Sequence, residues 1–441
     1  MQPRVASPDD GRISTARGHA AQHRLDAAEA AYREVLVDAP DTPEALNFIA
    51  MCELSRGEFA AAQQRLEHAA EINPEEPEIW KSLGIIHLAQ HHGPEAVDTF
   101  DRALGLEPMH FATRLHRGAA LEQMGRVADA TAAYFGALGA AQSHGKWRND
   151  VSTPPELRPI VRHAIAYVDQ HRKGVFMQRL QPLREQYGAA ALARVERGLE
   201  IYLDEREPDY PAGQLCHFFF VPGLSSDAWL PHGALPWLPQ LEAATGVIGD
   251  ELRAWLAQPI GLEPRLGTDD RAWLKENHVL DGADDTFAWN AFFLEKAGVA
   301  CAPNLARCPQ TAALLGKLPR MQIEGHAPQA LFSLLAPGTH VSPRHAVTNA
   351  RVRVHLPLQV DGASGLSVGG VEHVWRVGHA EVFDETFEHE MQNRGTATCA
   401  MLVLDAWHPG LTAAEREAIT LLFGAMADFN RQAHVDAPPA E

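Results

Sequence analysis

Residues 77–108 read PEIWKSLGIIHLAQHHGPEAVDTFDRALGLEP, and this stretch decides the fold of the first third of the chain. Prolines at positions 40, 74 and 108 lie 34 residues apart, so the stretch is one unit of an internal repeat. A repeat of this length predicts a helical hairpin that cannot bury its apolar face alone. The units are therefore expected to stack on one another.

The neighbouring units carry the same spacing of large and small residues. These offsets resemble the tetratricopeptide pattern, in which a large residue opens the first helix and small residues let the second pack closely. Four units, about residues 9–142, predict an α-helical solenoid. The resemblance implies a groove for a peptide or protein partner, the alternative being a spacer or dimerisation arm. The pattern comprises Ala28, Tyr32 and Pro40, then Leu46, Ile49, Ala50, Ala62, Leu66, Ala69 and Pro74, then Trp80, Leu83, Gly84, Ala96, Phe100, Ala103 and Pro108, then Gly118, Ala130, Tyr134 and Ala137.

Length and composition restrict the function further. A chain of 441 residues is long enough for two or three domains, and a formal net charge of −19 argues against nucleic-acid binding. No apolar run approaches the roughly 18 residues of a membrane span, and the start MQPRVASPDD lacks the apolar core of a secretory signal. Five scattered cysteines indicate a reducing compartment, so we expect a cytoplasmic protein. They are Cys52, Cys216, Cys301, Cys308 and Cys399.

The middle of the chain, residues 143–210, is predicted to be a helical linker. The 34-residue period ends there, and three prolines between 154 and 159 interrupt the solenoid. Amphipathic spacing predicts helices over 157–173 and 177–203, and one more over 238–258. Between them, the apolar run 217–221 before a Pro-Gly turn predicts a short strand.

From about residue 330 the sequence changes to short runs with β character, separated by Gly, Pro, Asn and Asp. The runs are 330–340, 351–360, 365–370, 372–384 and 397–407, which suits an all-β sandwich or barrel. Within the second run, valines and leucines alternate with Arg351, Arg353 and His355. This polar face either is solvated or lines a polar pocket, and the alternation alone favours solvation.

Three stretches in this region are similar, in order and spacing, to the aspartyl/asparaginyl β-hydroxylase family. They are LFSLLAPGTHVSPRHAVTNARVRVHLPL (331–358), VWRVGHAEVFDETFEHEMQN (374–393) and LVLDAWHP (402–409). The similarity covers about residues 285–415. It implies a double-stranded β-helix, or jelly roll, over 211–430 with its motif core at 330–410, and hence a multidomain α + β chain. The family implies hydroxylation dependent on Fe(II) and 2-oxoglutarate, with iron held by two histidines and no carboxylate.

Several positions match the motifs of this family. His389 stands at the second iron-ligand position, and Ser333, Arg353 and His355 stand where relatives contact 2-oxoglutarate. Neutral imidazoles suit the iron, and a guanidinium suits the far carboxylate of 2-oxoglutarate.

Two positions depart from the motifs. Arg344 follows Pro343 where the family has its first iron histidine, and a guanidinium cannot ligate a metal. We predict that His345, one place later in a loop, takes that role. Cys399 stands at the cofactor-binding position where the family has the arginine that clamps 2-oxoglutarate. The missing charge would come from Arg353, or from Arg344 as a catalytic residue.

Three functions are compatible with these residues. The first is hydroxylation of a peptide side chain, with an Asp or Asn β-carbon as target and the repeats holding the substrate. The second is a catalytically inactive hydroxylase fold that acts as a binding or scaffold protein. The third is a metal enzyme of altered chemistry that does not use 2-oxoglutarate.

Overall fold

The structure is a computed structural model that describes residues 4–7, 10–258, 261, 263–264, 280–281 and 289–435. These residues divide into two compact units. The helical unit comprises the described residues up to 175 and from 428 to 435, and the sheet unit comprises those from 176 to 427. Within the described part of the chain, no helix has both the length and the apolar character needed to cross a bilayer.

The helical unit contains the four predicted helical hairpins, and the expected repeat solenoid is confirmed. The first helices of the last three hairpins begin at residues 43, 77 and 111, and the second helices of all four begin at 25, 59, 93 and 127, so both series advance by 34 residues. The helices are α1 (Gly11–Ala21), α2 (Leu25–Asp38), α3 (Pro43–Ser55), α4 (Phe59–Ile72), α5 (Pro77–Ala89), α6 (Gly93–Leu106), α7 (Phe111–Gln123) and α8 (Val127–Ser143).

Two glycines show why small residues recur in the repeat. A Cβ added to Gly84 would lie 2.5 Å from the ring of Phe100, and one added to Gly118 would lie 2.6 Å from the ring of Tyr134. Both aromatic rings are fully buried. The second glycine–aromatic pair is the first displaced by one 34-residue repeat, so the same close helix–helix contact is built twice.

The segment after the repeats differs from the prediction in two places. Two helices are present where they were predicted over 157–173 and 177–203, but the break between them lies later, because α9 spans Arg158–Tyr187 and α10 spans Ala189–Tyr202. The predicted break at 174–176 is wrong. Gly174 lowers helix stability by only about 1 kcal/mol, and continuing the helix buries the side chain of Phe176. The chain breaks instead at Gly188, whose φ of +82° suits glycine.

The predicted strand at 217–221 is also wrong. This segment bends at residues 217–218 and, among the described residues, forms only the isolated bridge from Phe219 to Thr348. The Val347 carbonyl accepts from the N–H groups of Phe218 and Phe219 at 2.9 and 3.0 Å. The Asn349 side chain accepts a hydrogen bond from the Val221 N–H at 2.8 Å and donates one to the Val221 carbonyl at 3.0 Å. The apolar side chains are buried, which explains the apolar pattern without a ladder.

Two antiparallel sheets form the core of the sheet unit. The predicted strands from residue 330 onward are present, whereas the strands at 289–296, 340–344 and 389–392 were not predicted. The strands are β1 (Glu263–Pro264), β2 (Leu280–Asp281), β3 (Trp289–Lys296), β4 (Val299–Ala300), β5 (Ala330–Leu335), β6 (His340–Arg344), β7 (Arg351–Gln359), β8 (Gly365–Val368), β9 (Val371–Val374), β10 (Glu381–Phe383), β11 (His389–Gln392) and β12 (Cys399–Trp407). The helices of this unit also include α11 (Leu238–Ala243), α12 (Thr245–Leu256), α13 (Ala302–Leu305), α14 (Pro309–Leu315) and α15 (Ala413–Ala433).

The order of the strands gives the jelly-roll arrangement that was expected. One sheet runs β1-β3-β5-β12-β7-β10 with β4 beside β3, and the other runs β2-β6-β11-β8-β9. Helices α11, α12 and α14 pack on one face of the larger sheet, against residues such as Val354 and Leu402. The other face carries Met401 and Val403 and packs with Leu366 and Val368 of the smaller sheet. Strand alternation therefore sends every second residue of β7 and β12 into the space between the sheets.

Candidate active site

A cavity of about 180 Å³ lies between the two sheets. Six of the seven predicted site residues line it, together with apolar and aromatic side chains. The expectation that the polar face of β7 is solvated is wrong, because Arg351, Arg353 and His355 are only 2–5% exposed. The lining residues are Trp289, Leu331, Ser333, Arg344, His345, Ala346, Arg353, His355, Phe383, Glu385, His389, Met391 and Val403.

Arg353 is held by two buried carboxylates. Its Nη2 donates to Glu385 Oε1 at 2.8 Å, and its Nη1 lies 2.6 Å from Asp405 Oδ1. Burial alone would raise the pKa of Glu385, but Arg353 and Arg351 overcome this effect and hold it well below the usual range. Because these two arginines face two carboxylates, the net charge of the four side chains is close to zero. Arg353 therefore attracts an anionic ligand only weakly.

His389 presents a neutral imidazole to the cavity. Its Nδ1 lies 3.1 Å from the Phe387 carbonyl oxygen, so Nδ1–H donates there and Nε2 keeps its lone pair. The side chain is 6% exposed, and burial together with the charge of Arg344 lowers its pKa to about 4. A neutral imidazole oriented by a backbone carbonyl is the usual form of a metal ligand.

Arg344 lies directly against that nitrogen. It is the last residue of β6 and the register partner of His389 in the antiparallel ladder. Its Nε lies 3.4 Å from His389 Nε2, and its guanidinium carbon lies 4.5 Å from the ring centroid of Trp289. Burial lowers its pKa to about 10, so it remains a cation at neutral pH. Within the described residues, no carboxylate forms an ion pair with it.

His345 follows the end of β6 and also reaches the cavity wall. Its Nδ1 lies 2.9 Å from the Thr386 carbonyl oxygen, and its ring centroid lies 6.4 Å from that of His217. The consecutive carbonyls of Thr386 and Phe387 therefore fix the orientation of both candidate metal-binding histidines. In each ring, Nε2 is the nitrogen left with a lone pair.

The three remaining predicted positions differ in their access to the cavity. Ser333 lines it, and its Oγ accepts a hydrogen bond from Trp289 Nε1 at 2.9 Å. His355 also lines it, with a buried Nδ1 that has no hydrogen-bond partner among the described residues. Burial and the charge of Arg353 lower the pKa of His355 to about 3. Cys399 is not part of the lining and packs in the apolar core between the sheets, where burial raises the pKa of its thiol.

Three residues that shape this cavity were not predicted as site residues. Glu385 and Asp405 neutralise the paired arginines, and Trp289 stacks on Arg344. Both carboxylates lie inside the motifs quoted above, in FDETFEHE and LVLDAW. Two arginines on one face of a strand were a signal in the sequence, because guanidinium groups that are buried require carboxylate partners.

Sequence comparisons divide the chain in the same way. A sequence model of the aspartyl/asparaginyl beta-hydroxylase family matches residues 248–409, and two tetratricopeptide repeat models match residues 19–86 and 81–144. The chain carries an aspartyl/asparaginyl β-hydroxylase domain behind tetratricopeptide repeats.

Three relatives illustrate how far the similarity extends. Aspartate beta-hydroxylase domain-containing protein 2 of Xenopus tropicalis is 30% identical over 251 residues, which cover 55% of this chain and 64% of that protein. The human protein of the same name is 35% identical over 138 residues, 31% of this chain and 37% of that protein. Human aspartyl/asparaginyl beta-hydroxylase is 28% identical over 205 residues, 45% of this chain and 25% of that protein. More than a third of each relative therefore has no counterpart in the alignment.

The donor set of this hydroxylase domain does not fit the two-histidine iron site that the family implies. His389 fits, because it offers a neutral nitrogen. Its register partner Arg344 does not, because a cation points at the same nitrogen and would repel a ferrous ion. The arrangement suits an anionic group beside Arg344 better than a metal ion.

Proposed function

We propose that the hydroxylase domain of this chain is a binding module that takes a small carboxylate beside Arg344, and that the repeats hold a peptide or protein partner. The contact between Arg344 and His389 carries the proposal, because it puts a guanidinium where the family's motif has an iron ligand. Under this proposal the domain is a non-catalytic form of the hydroxylase fold.

The surroundings of Arg344 support carboxylate binding. Its charge is not neutralised by an ion pair within the described residues, whereas Arg353 is already paired with two acids. Stacking on Trp289 limits the motion of the guanidinium, so less entropy is lost when it forms a forked pair with a carboxylate. The hydroxyl of Ser333 lines the same cavity from the larger sheet and has a proton to donate.

Calorimetric titration with 2-oxoglutarate and with succinate, both in excess EDTA, tests this function. We expect binding without metal, and a loss of at least tenfold in affinity in Arg344→Met. Arg394→Met is the matched control, because Arg394 is 45% exposed and pairs with Glu372 at the surface. Equal affinity in wild type and Arg344→Met, or binding that requires iron, would contradict the proposal.

The second candidate is Fe(II)- and 2-oxoglutarate-dependent hydroxylation of an Asp or Asn β-carbon in a peptide held by the repeats. The observation in its favour is that consecutive carbonyls accept from Nδ1 of both His345 and His389, which leaves the Nε2 lone pair of each ring for a metal once Arg344 moves away from His389. These two residues would hold the iron, and Ser333, His355 and Arg344 would remain for the cosubstrate. Iron and 2-oxoglutarate would supply the oxygen chemistry.

Anaerobic Fe(II) titration, followed by addition of 2-oxoglutarate and oxygen and measurement of succinate, separates the candidates. For the hydroxylase, His345→Ala and His389→Ala should abolish iron binding to the same extent, and wild type should form succinate. Iron bound without succinate would indicate the altered chemistry considered above. For the carboxylate module, wild type should bind iron weakly, and Arg344→His should raise iron affinity at least tenfold because an imidazole then faces His389.

A further inference from the structure

A second group of potential metal ligands lies outside the cavity, on the surface of the sheet unit. It consists of His232, Glu242 and His379. His232 begins a short 3₁₀ turn, Glu242 lies on α11, and His379 lies in the turn between β9 and β10. None of the three lines the cavity. Three segments that are separate in sequence therefore bring two imidazoles and one carboxylate together.

The distances within this group are those of a compact site. His232 Nε2 lies 3.0 Å from Glu242 Oε2, and His379 Nδ1 lies 3.5 Å from Glu242 Oε1. The two imidazole rings are parallel within 2°, with centroids 5.6 Å apart. One ligand atom of each residue lies within 4.8 Å of the others, and no other trio of His, Cys, Asp or Glu in the described ranges meets that limit.

The backbone around the group fixes two of the three ligands. Glu242 Oε1 accepts a hydrogen bond from the Ala380 N–H at 2.8 Å, which ties the carboxylate to the turn that carries His379. That turn is closed by the His379 N–H, which donates to the Arg376 carbonyl oxygen at 3.1 Å, and is tied to β7 by the Gly378 N–H, which donates to the Pro357 carbonyl oxygen at 3.0 Å. The side chains of His232 and His379 are 43% and 53% exposed, so an ion can reach them from solvent.

We propose that His232, Glu242 and His379 bind a divalent transition-metal ion of the zinc type, with a fourth coordination position open to water. Zinc bonds of about 2.1 Å in tetrahedral geometry place neighbouring ligand atoms about 3.4 Å apart. The separations of 3.0 and 3.5 Å, which join each imidazole to a different oxygen of Glu242, lie close to that value, so the carboxylate can face both imidazoles across one ion. Two imidazoles and one carboxylate suit zinc, whereas magnesium and calcium prefer sites made of oxygen atoms. A bound ion would connect α11 to the turn between β9 and β10.

Titration of the full chain with Zn²⁺ against a chromophoric indicator tests this site. His345→Ala/His389→Ala serves as the starting protein, because it removes the two candidate metal-binding imidazoles of the cavity. We expect this protein to bind one equivalent of zinc, and further substitution of His232→Ala or His379→Ala to weaken that binding at least tenfold. Zinc affinity that is unchanged by both substitutions would overturn the proposal.

The matched control is His373→Ala. His373 is 38% exposed and lies 3.0 Å from the carboxylate of Glu381, so it has similar exposure and one acidic partner but belongs to no trio. Its substitution should leave zinc affinity unchanged. Melting curves in EDTA check the fold, because all variants should melt as the starting protein does. Addition of zinc should raise Tm only where the trio is intact. If the trio is only a carboxylate hydrogen-bonded to two imidazoles, zinc will shift no melting curve.

Discussion

The two units of this chain bury different kinds of side chain for different reasons. In the helical unit, two close contacts join a glycine to an aromatic ring in the same hairpin, and the Gly84–Phe100 contact is repeated 34 residues later. In the sheet unit, Arg353 comes from β7 and its acidic partners come from β12 and the segment after β10. The first kind of contact repeats locally, whereas the second depends on the register of distant strands. Variants in each unit should therefore fail in different ways.

The largest effect is expected from breaking the buried charges with Glu385→Ala. The change leaves Arg353 and Arg351 buried with one carboxylate between them, and removal of one partner of a buried pair costs about 3–5 kcal/mol. Calorimetric melting of the full chain measures the loss. Glu390→Ala is the control, because Glu390 is 39% exposed and pairs with His340, so it should cost about 1 kcal/mol or less. Equal losses in both variants would show that the buried group is not needed for stability.

Low pH should destabilise the sheet unit through His408, which is 2% exposed and follows β12. Burial, followed by the charges of Arg194 and Arg416, lowers its pKa to about 4. As the pH falls, the histidine of the unfolded chain therefore takes up a proton before that of the folded protein. The contribution of neutral His408 to the stability of the fold is complete above about pH 6.5 and is lost as the pH falls toward 4. The loss from this residue amounts to about 3 kcal/mol.

His408→Asn isolates that contribution, because its oxygen can still accept the hydrogen bond that Gly410 N–H donates to His408 Nδ1 at 3.0 Å. Unfolding free energies at pH 7.5 and 4.5 give the result. The wild type should lose about 2.5 kcal/mol more than the variant between these pH values. Parallel losses in the two proteins would rule out the assignment.

The smallest effect is expected in the helical unit from Gly84→Ala. Its Cβ would overlap the buried ring of Phe100, and overpacking of this kind costs about 1–3 kcal/mol. Gly105→Ala, on the exposed side of α6 with no atom near the new Cβ, should instead stabilise by about 0.5–1 kcal/mol. Thermal unfolding followed by circular dichroism at 222 nm compares them. If both alanines stabilise, the glycine–aromatic contact does not limit helix packing.

The repeats could be predicted almost completely because each unit by itself carries the spacing of large and small residues, and the units recur every 34 residues. The strands from residue 330 onward could be predicted from their alternation and turns, but β6 and β11 could not. Each is short and gains its place by pairing with the other, as in the register from His389 to Arg344. Around Phe219 a strand was predicted that is absent, because burial of the side chains alone produced an apolar pattern like that of a strand.

The site could be predicted only as a set of residues. Six predicted residues meet at one cavity, which the motif order indicated. Alternation alone could not show whether the polar face of β7 is exposed to water or covered by a second sheet. The contact of Arg344 with His389 and the neutralisation of Arg353 also depend on side chains from other strands.

The alternation along β7 also sets how the chain tolerates insertions and deletions. Val352, Val354 and Leu356 face the helices, while the residues between them face the cavity. Removing a single residue near the start of β7 would exchange the two faces, sending guanidinium groups into the apolar layer and leaving Glu385 and Asp405 without counter-charges. A two-residue deletion would keep the faces but shift every contact along the strand by two positions. Chain length between Asn349 and Gln359 is therefore far more tightly constrained than the identity of most residues within it.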